Sequence, residues 1–315
     1  MNYEGVTEEI AAGLLVLKER IAKAKIPSSK IDETLNIATW NVREFGRKPR
    51  TRAALFYIAE ILSQFDLIGM VELRDNLSDL RKVLDILGPE WRAVYSDAIL
   101  DAGGNRERIA YLFDRRAVTF NGLAAEAQPP RTKQGTEYLS SFSWWRSPYM
   151  ASFSSGNFDF VCLTTHIRWG DKAANRLVEI EALAQWVAAK AEEPTSEDKD
   201  IIVMGDFNIS SQRSALFKAV TSKGLMVPAR LLKTDLGSNL ERNKRYDQIL
   251  HRPIYDESFC NAGGVLDFYC GDYKALFPKL KTKDAFTYQM SDHLPLWMQI
   301  NTDNDVHQLE QLIRG

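Results

Sequence analysis

The sequence predicts an α/β fold in which stacked sheets are flanked by helices. Three observations lead there. Short β-rich runs recur along most of the chain, helical periodicities separate only some of them, and no repeat or low-complexity tract interrupts the pattern. A chain of 315 residues, 45% of them hydrophobic, can bury a substantial core.

The elements follow in order. Thr7 can cap a helix whose first turn carries Glu8 and Glu9; Ile10, Leu14, Leu17 and Ile21 recur at helical spacing until Lys25-Ile26-Pro27 ends it. Residues 1–30 therefore read as a helical extension, packed on the domain that follows rather than reserved for a partner. A strand at 35–40, a helix at 52–64, a strand at 66–71 and a helix at 77–87 come next. Later strands are expected at 109–113, 149–153, 158–165, 201–204, 248–250 and 296–300. Residues 173–191 form the longest amphipathic helix, and the polar run 192–198 is a surface loop rather than a linker. The catalytic domain is expected to span 31–302, with a polar C-terminal tail at 303–315.

Composition excludes several classes. The first residues lack a basic start followed by an apolar core, and no stretch is apolar enough to cross a bilayer, so a cytoplasmic protein without a membrane partner is expected. Cys162, Cys260 and Cys270 are an odd count without CxxC spacing, which argues against a disulfide framework or a zinc site. The net charge of -2 hides two basic clusters, Arg43, Arg47, Lys48, Arg50 and Arg52, and Arg242, Lys244 and Arg245. These are either phosphate-facing rims or solvated loops.

The informative polar residues fall where apolar runs end: Asn41, Glu72, His166, Asp206 and Asn208, with Asp292-His293 just before the last strand. Singly, each reads as a turn residue or a cap. Together they read as a site built from converging strand ends, in which carboxylates hold a hard cation while imidazole works on a substrate. That is the pattern of a metal-dependent hydrolase.

Thr39-Trp40-Asn41, Val71-Glu72, Thr165-His166, Gly205-Asp206-Phe207-Asn208 and Ser291-Asp292-His293 resemble, in order, the marks of the endonuclease/exonuclease/phosphatase superfamily. The likeness runs from about residue 35 to 300 and implies a four-layer α/β sandwich, with two stacked mixed, mainly antiparallel sheets between helices. Among its members the chain is most similar to the deoxyribonuclease I-like ones. Glu72-Leu73-Arg74 resembles their metal-binding Glu followed by an Arg that enters the minor groove. Glu107, before the strand at 109–113, resembles the Glu that pairs with the first catalytic His, here His166. Arg146-Ser147-Pro148 resembles the Arg-x-Pro segment whose Arg contacts the scissile phosphate, and Tyr246-Asp247 the pair whose Asp orients the second His, here His293.

The resemblance implies an endonuclease dependent on Mg²⁺, with Mn²⁺ able to substitute, that hydrolyses DNA to 5′-phosphate and 3′-hydroxyl ends with weak sequence preference. It assigns Glu72 to direct metal ligation, and Asn41 and Asp292 to further oxygen ligation or to metal-bound waters. Asp206 would position or deprotonate the attacking water, and Asn208 would bond a nonbridging oxygen. His166 and His293 would be held by Glu107 and Asp247, and which imidazole acts as acid and which as base stays open. Arg74, Arg146 and Arg108 are the basic residues expected to touch phosphate or nucleic acid, although each could instead pair with an acid. Trp144-Trp145 and Trp169 either line a substrate surface or belong to the core. His251 and His307 fall outside every motif and are expected to be structural or solvent-exposed.

Two other functions compete. A sphingomyelinase-like or other small-molecule or lipid phosphoesterase shares Thr-His and Gly-Asp-Phe-Asn, but Arg74 and Arg146 suit a polymeric phosphate better. A scaffold that only binds a partner would not need every acidic and imidazole position.

Overall fold

The computed structural model describes residues 1–98, 105–170, 172–196, 198–232, 236–252, 256–259 and 261–314. Along the chain run α1 (Glu8–Lys23), β1 (Thr34–Phe45), α2 (Arg52–Leu62), β2 (Leu67–Leu73), α3 (Ser78–Leu87), β3 (Trp91–Tyr95), β4 (Arg108–Asp114) and β5 (Thr119–Glu126). Then come β6 (Thr132–Gln134), β7 (Glu137–Leu139), β8 (Tyr149–Ser155), β9 (Phe158–His166), α4 (Ala173–Glu192), β10 (Ile201–Asp206), α5 (Ala215–Val220) and α6 (Ala229–Leu232). The last five are β11 (Asp247–His251), β12 (Gly263–Val265), α7 (Lys283–Gln289), β13 (Leu296–Asn301) and α8 (Asp305–Arg314).

The strands form two main sheets, in the orders β12-β13-β1-β2-β4-β3 and β11-β10-β9-β8-β5, with β6 and β7 as a separate hairpin. Pairing is antiparallel except for β1 with β2 and β9 with β10. Both parallel pairs carry a helix in the crossover, α2 and α4, because a parallel connection must return to the starting edge. Their strands are apolar on both faces: β10 is buried throughout, and β1 is buried from Leu35 to Val42. The sheets lie face to face between helices, an α/β sandwich. At Gly69 they approach so closely that a Cβ would stand 2.6 Å from Thr164 Oγ1 and 2.9 Å from Met204 Sδ.

α1 folds as its capping and periodicity require. Thr7 Oγ1 accepts from the Ile10 amide, and Ile10, Leu14, Leu17 and Ile21 are buried in the common core. Buried Arg20 then donates to the carbonyls of Phe268, Tyr269 and Asp272 at 2.8–2.9 Å, fastening this helix to the chain that leads into α7. At the other end, the polar tail expected at 303–315 carries a helix, α8, over Asp305–Arg314. Leu309, Leu312 and Ile313 recur there at helical spacing but remain exposed. The short strands β3, β5, β6, β7 and β12 were not expected from sequence. β5 illustrates why: its eight residues are half-buried or exposed and include two alanines and a glycine, so periodicity has little to report.

Candidate active site

Every motif residue of the β-strands lies at one rim where the two sheets meet. In β9 and β10 the parallel register sets His166 opposite Asp206, and in β10 and β11 the antiparallel register sets Asp206 opposite Asp247. The close pairing of β9 and β10 needs Gly205: at φ +135° its Cβ would stand 1.9 Å from the Thr165 carbonyl oxygen. Across the sandwich, Asn41 Nδ2 donates to Asp206 Oδ2 at 3.0 Å and to Glu72 Oε1 at 2.9 Å, tying one sheet to the other.

Glu72 is aimed by the backbone. The ladders of β1–β2 and β2–β4 both shift register around it, and Glu72 adopts φ 65° with Glu44 at φ 46°. Left-handed conformations of this kind in non-glycine residues cost on the order of 1–3 kcal/mol each and collect at functional sites. The second Glu72 oxygen accepts the Glu44 amide at 2.8 Å.

Two carboxylate–imidazole pairs flank Asp206. His166 Nδ1 lies 2.8 Å from Glu107 Oε2, and His293 Nδ1 lies 2.7 Å from Asp247 Oδ2. Their Nε2 atoms converge on the same acceptor, Asp206 Oδ2, at 3.6 and 3.7 Å. Burial works against charge on His166, as does the Arg146 guanidinium, but Glu107 and Asp206 outweigh both and raise its pKa. Burial also opposes charge on His293, yet Asp247, Asp206 and Asp292 lift it well above the ordinary value. Burial raises the Asp247 carboxyl too; with His293 bonded to it, the carboxylate–imidazolium form is the one the geometry supports. For Glu107, burial is overcome by His166 and Arg146, which hold it well below the carboxylate range.

Arg146 donates through Nη2 to Glu107 Oε1 at 3.1 Å, and its Nε lies 2.8 Å from Oε2, so at rest its fork is spent on the acid that orients His166. Arg74 bonds Glu44 Oε1 at 2.8 Å and the Asn105 carbonyl, with Glu107 at 3.9 Å. It opens onto a cleft of about 460 Å³ shared with Arg47 and Arg106. Arg108 has other partners, the Ser96 carbonyl and Asp97, each at 2.9 Å. Asn208, at φ 52°, donates its amide to Asp206 Oδ1 at 2.9 Å and its side chain to the Ile167 carbonyl at 2.7 Å.

Hard oxygen donors fit a divalent cation here. Asn41 Oδ1 is buried without a hydrogen bond, and among the described residues no donor is bonded to the half-buried Asp292 carboxylate. With Glu72 these are oxygen groups that could hold a divalent cation. Asp206, Asp247 and His293 also lie within metal-chelating distance of one another. Their mutual pairing already accounts for that closeness.

Three supporting residues escaped the sequence reading. Glu44 serves both Glu72 and Arg74, and Asn105 Nδ2 donates to Glu107 at 3.0 Å. Ser291 Oγ donates to the Asn41 carbonyl at 2.6 Å and accepts the His293 amide at 2.9 Å. Of these only Ser291 carried a signal, its place beside Asp292-His293. His251 is buried and stacked on Phe259, with centroids 3.8 Å apart, while the His307 side chain and Cys260 lie outside the described residues. Cys162 and Cys270 are free thiols, and no helix among the described residues is long and apolar enough to cross a membrane.

Comparison with known proteins agrees with this geometry. The sequence model of the endonuclease/exonuclease/phosphatase family matches residues 38–293, a span that contains every group of the constellation. A deoxyribonuclease of Thioalkalivibrio sp. (strain K90mix) is 29% identical over 285 residues, 87% of this chain and 72% of its own. The deoxyribonuclease-1 of Bos taurus is 24% identical over 282 residues, 84% of this chain and 91% of its own. Among solved structures, an endonuclease/exonuclease/phosphatase family protein from Bacteroides thetaiotaomicron superposes with a TM-score of 0.58 at 18% identity, covering 86% of this chain and 98% of that one. The human Nocturnin catalytic domain gives 0.53 at 16% identity over 87% and 96%.

Proposed function

Because the chain belongs to the endonuclease/exonuclease/phosphatase family, hydrolases that depend on divalent metals, we propose that it is a phosphodiesterase acting on nucleic acid. More specifically, we read it as a Mg²⁺-dependent endonuclease that cuts DNA to 5′-phosphate and 3′-hydroxyl ends. The observation that carries this reading is the convergence of two carboxylate-held imidazoles on Asp206, at 3.6 and 3.7 Å. A phosphodiester is an anion with a poor leaving group. It needs positive charge on its oxygens, a base for water and a proton for the departing oxygen, and these groups supply all three. The deoxyribonuclease names of the relatives and the arginine-lined cleft beside Arg74 favour DNA over a small diester.

Glu72, Asn41 and Asp292 would hold the cation. When bound, it neutralises and polarises a phosphoryl oxygen. Asp206, fixed by the Asn41 side chain and the Asn208 amide, orients the water and takes its proton. As water oxygen bonds to phosphorus, the P–O3′ bond breaks and the departing oxygen takes a proton from one imidazolium. The other imidazolium donates to a nonbridging oxygen. Arg146 would bond the same phosphate once its fork turns from Glu107. Backbone and groove contacts of this kind position the polymer without reading its bases.

Titrating Mg²⁺ against supercoiled plasmid, RNA, a lipid phosphodiester and a soluble phosphomonoester tests the reading. Plasmid nicking that leaves ligatable 5′-phosphates is expected. Faster turnover of the lipid diester, or no turnover of either polymer, would overturn it.

A further inference from the structure

Most large aromatics of this protein are buried, but two tryptophans beside the active site are not. Trp145 is 56% exposed and Trp169 is 64% exposed, whereas Trp144 is 8% exposed and packs edge-on against Phe142. Their position is set by the catalytic elements themselves: Trp145 precedes Arg146, and Trp169 follows His166 by three residues. Trp169 reaches the centre through one intervening ring. Its centroid lies 5.7 Å from that of Tyr246, which lies 5.6 Å from the His293 imidazole.

Each indole carries a guanidinium on its face. Arg168 Cζ is 4.9 Å from the Trp145 ring centroid, and Arg176 Cζ is 5.2 Å from that of Trp169. Neither arginine makes an ion pair within 4.0 Å among the described residues. Tyr246 meets Trp169 at 85°, edge against face, so no ring among the described residues stacks flat on Trp169. The result is an indole under a cation, touched by one ring and still 64% exposed, beside a centre built for an anion.

Resting on the nuclease reading, we propose that Trp169, with Trp145 beside it, is a stacking shelf for an unpaired base next to the scissile phosphate. The preferred substrate is then DNA at a single-stranded stretch. Bases inside a duplex are already stacked and paired, so their faces are closed to an indole; an unpaired base has both faces free. Aromatic–base stacking with arginine support is the general device of single-strand binding, and the two guanidinium groups add the charge that a phosphate chain requires. The two ring-to-ring steps of 5.7 and 5.6 Å from His293 span at most about three nucleotides, given a rise of about 3.4 Å per nucleotide in a stacked strand.

The test compares kcat/KM on an unstructured oligonucleotide and on its duplex, for wild type, Trp145→Ala, Trp169→Ala and Trp169→Phe. Trp169→Ala should lose about 5- to 100-fold on the single strand, the range expected for one stacked base, and under about threefold on the duplex. Trp145→Ala should show a smaller loss with the same preference, and Trp169→Phe should recover most of the difference. Quenching of tryptophan fluorescence by the oligonucleotide without added metal should weaken in Trp169→Ala. Equal losses on the two substrates, or none on the single strand, would overturn the shelf while leaving the nuclease intact. Wild type that hydrolyses bis(4-nitrophenyl) phosphate yet neither cuts nor binds either DNA would overturn the nuclease reading and the shelf with it.

Discussion

Replacing Glu107 by glutamine keeps the shape of a side chain on which four neighbours depend and removes its charge. Its oxygens lie 2.8 Å from His166 Nδ1, 2.8 and 3.1 Å from Arg146, and 3.0 Å from Asn105 Nδ2, with Arg74 at 3.9 Å. Unit charges about 3 Å apart at an effective dielectric near 20 attract by about 5–6 kcal/mol. Desolvation opposes this, and breaking such a buried pair from one side typically destabilises by about 3–5 kcal/mol. Glu107→Gln should therefore lower the melting temperature measurably.

The chemistry should suffer in a distinctive way. A histidine whose pKa is raised in the folded protein keeps its proton above its ordinary value of 6.5 and loses it as pH climbs through the raised value. Without Glu107 that loss moves to lower pH. The alkaline limb of kcat/KM should shift downward in Glu107→Gln, together with a loss of about 10²–10⁴-fold at neutral pH. The assay is a pH–rate profile at saturating Mg²⁺, with circular dichroism as a check of fold. A folded variant within about threefold of wild type, with an unmoved profile, would refute the claim that Glu107 acts through His166.

Glu72→Gln should cut turnover by about 10²-fold or more and weaken Mn²⁺ binding by about tenfold or more, read by electron paramagnetic resonance; unchanged Mn²⁺ affinity would exclude Glu72 as a ligand. Gly205→Ala should destabilise by about 3 kcal/mol or more in urea, since no side chain fits between β10 and the Thr165 carbonyl, and an unchanged midpoint would contradict that packing. His251, pulled down to about 4 by burial, should make the fold acid-labile. A depressed histidine contributes stability present above pH about 6.5 and lost as pH falls to about 4, a gap of about 2.5 units or about 3 kcal/mol. The stability difference between wild type and His251→Phe should shift toward the variant by that amount across this window, as followed by urea unfolding, and a constant difference would count against a neutral buried imidazole.

Sequence carried the site better than its scaffold. Asn41, Glu72, His166, Asp206 and Asn208 are legible because apolar runs end on or just before them, where a strand delivers a side chain to a rim, whereas Asp247 opens its strand and is reached only through the family resemblance. Glu44 was hidden because its value depends on a left-handed turn and on Arg74, thirty residues away. The position of Arg146 was legible but its resting partner was not, since Glu107 and Arg146 meet only through the pairing of two sheets. The tryptophans show a different limit: composition gives hydrophobic area, and only the fold tells Trp144, turned inward, from Trp145, turned out. For α8, the run of charged and amide residues masked the spacing of Leu309, Leu312 and Ile313.

The two halves of the constellation are far apart in the order of synthesis. Glu72 leaves the ribosome early, on β2, whereas His293 arrives just ahead of β13, which must pair with β1 before the rim is complete. A ribosome adding roughly 5–20 residues per second takes on the order of ten seconds or more to bridge that distance. A nascent chain consequently holds Glu72 and Asp206 without Asp292 and the second imidazole, and the proposed site is complete only when the final strand pairs. On the nuclease reading, the topology itself delays the onset of cutting.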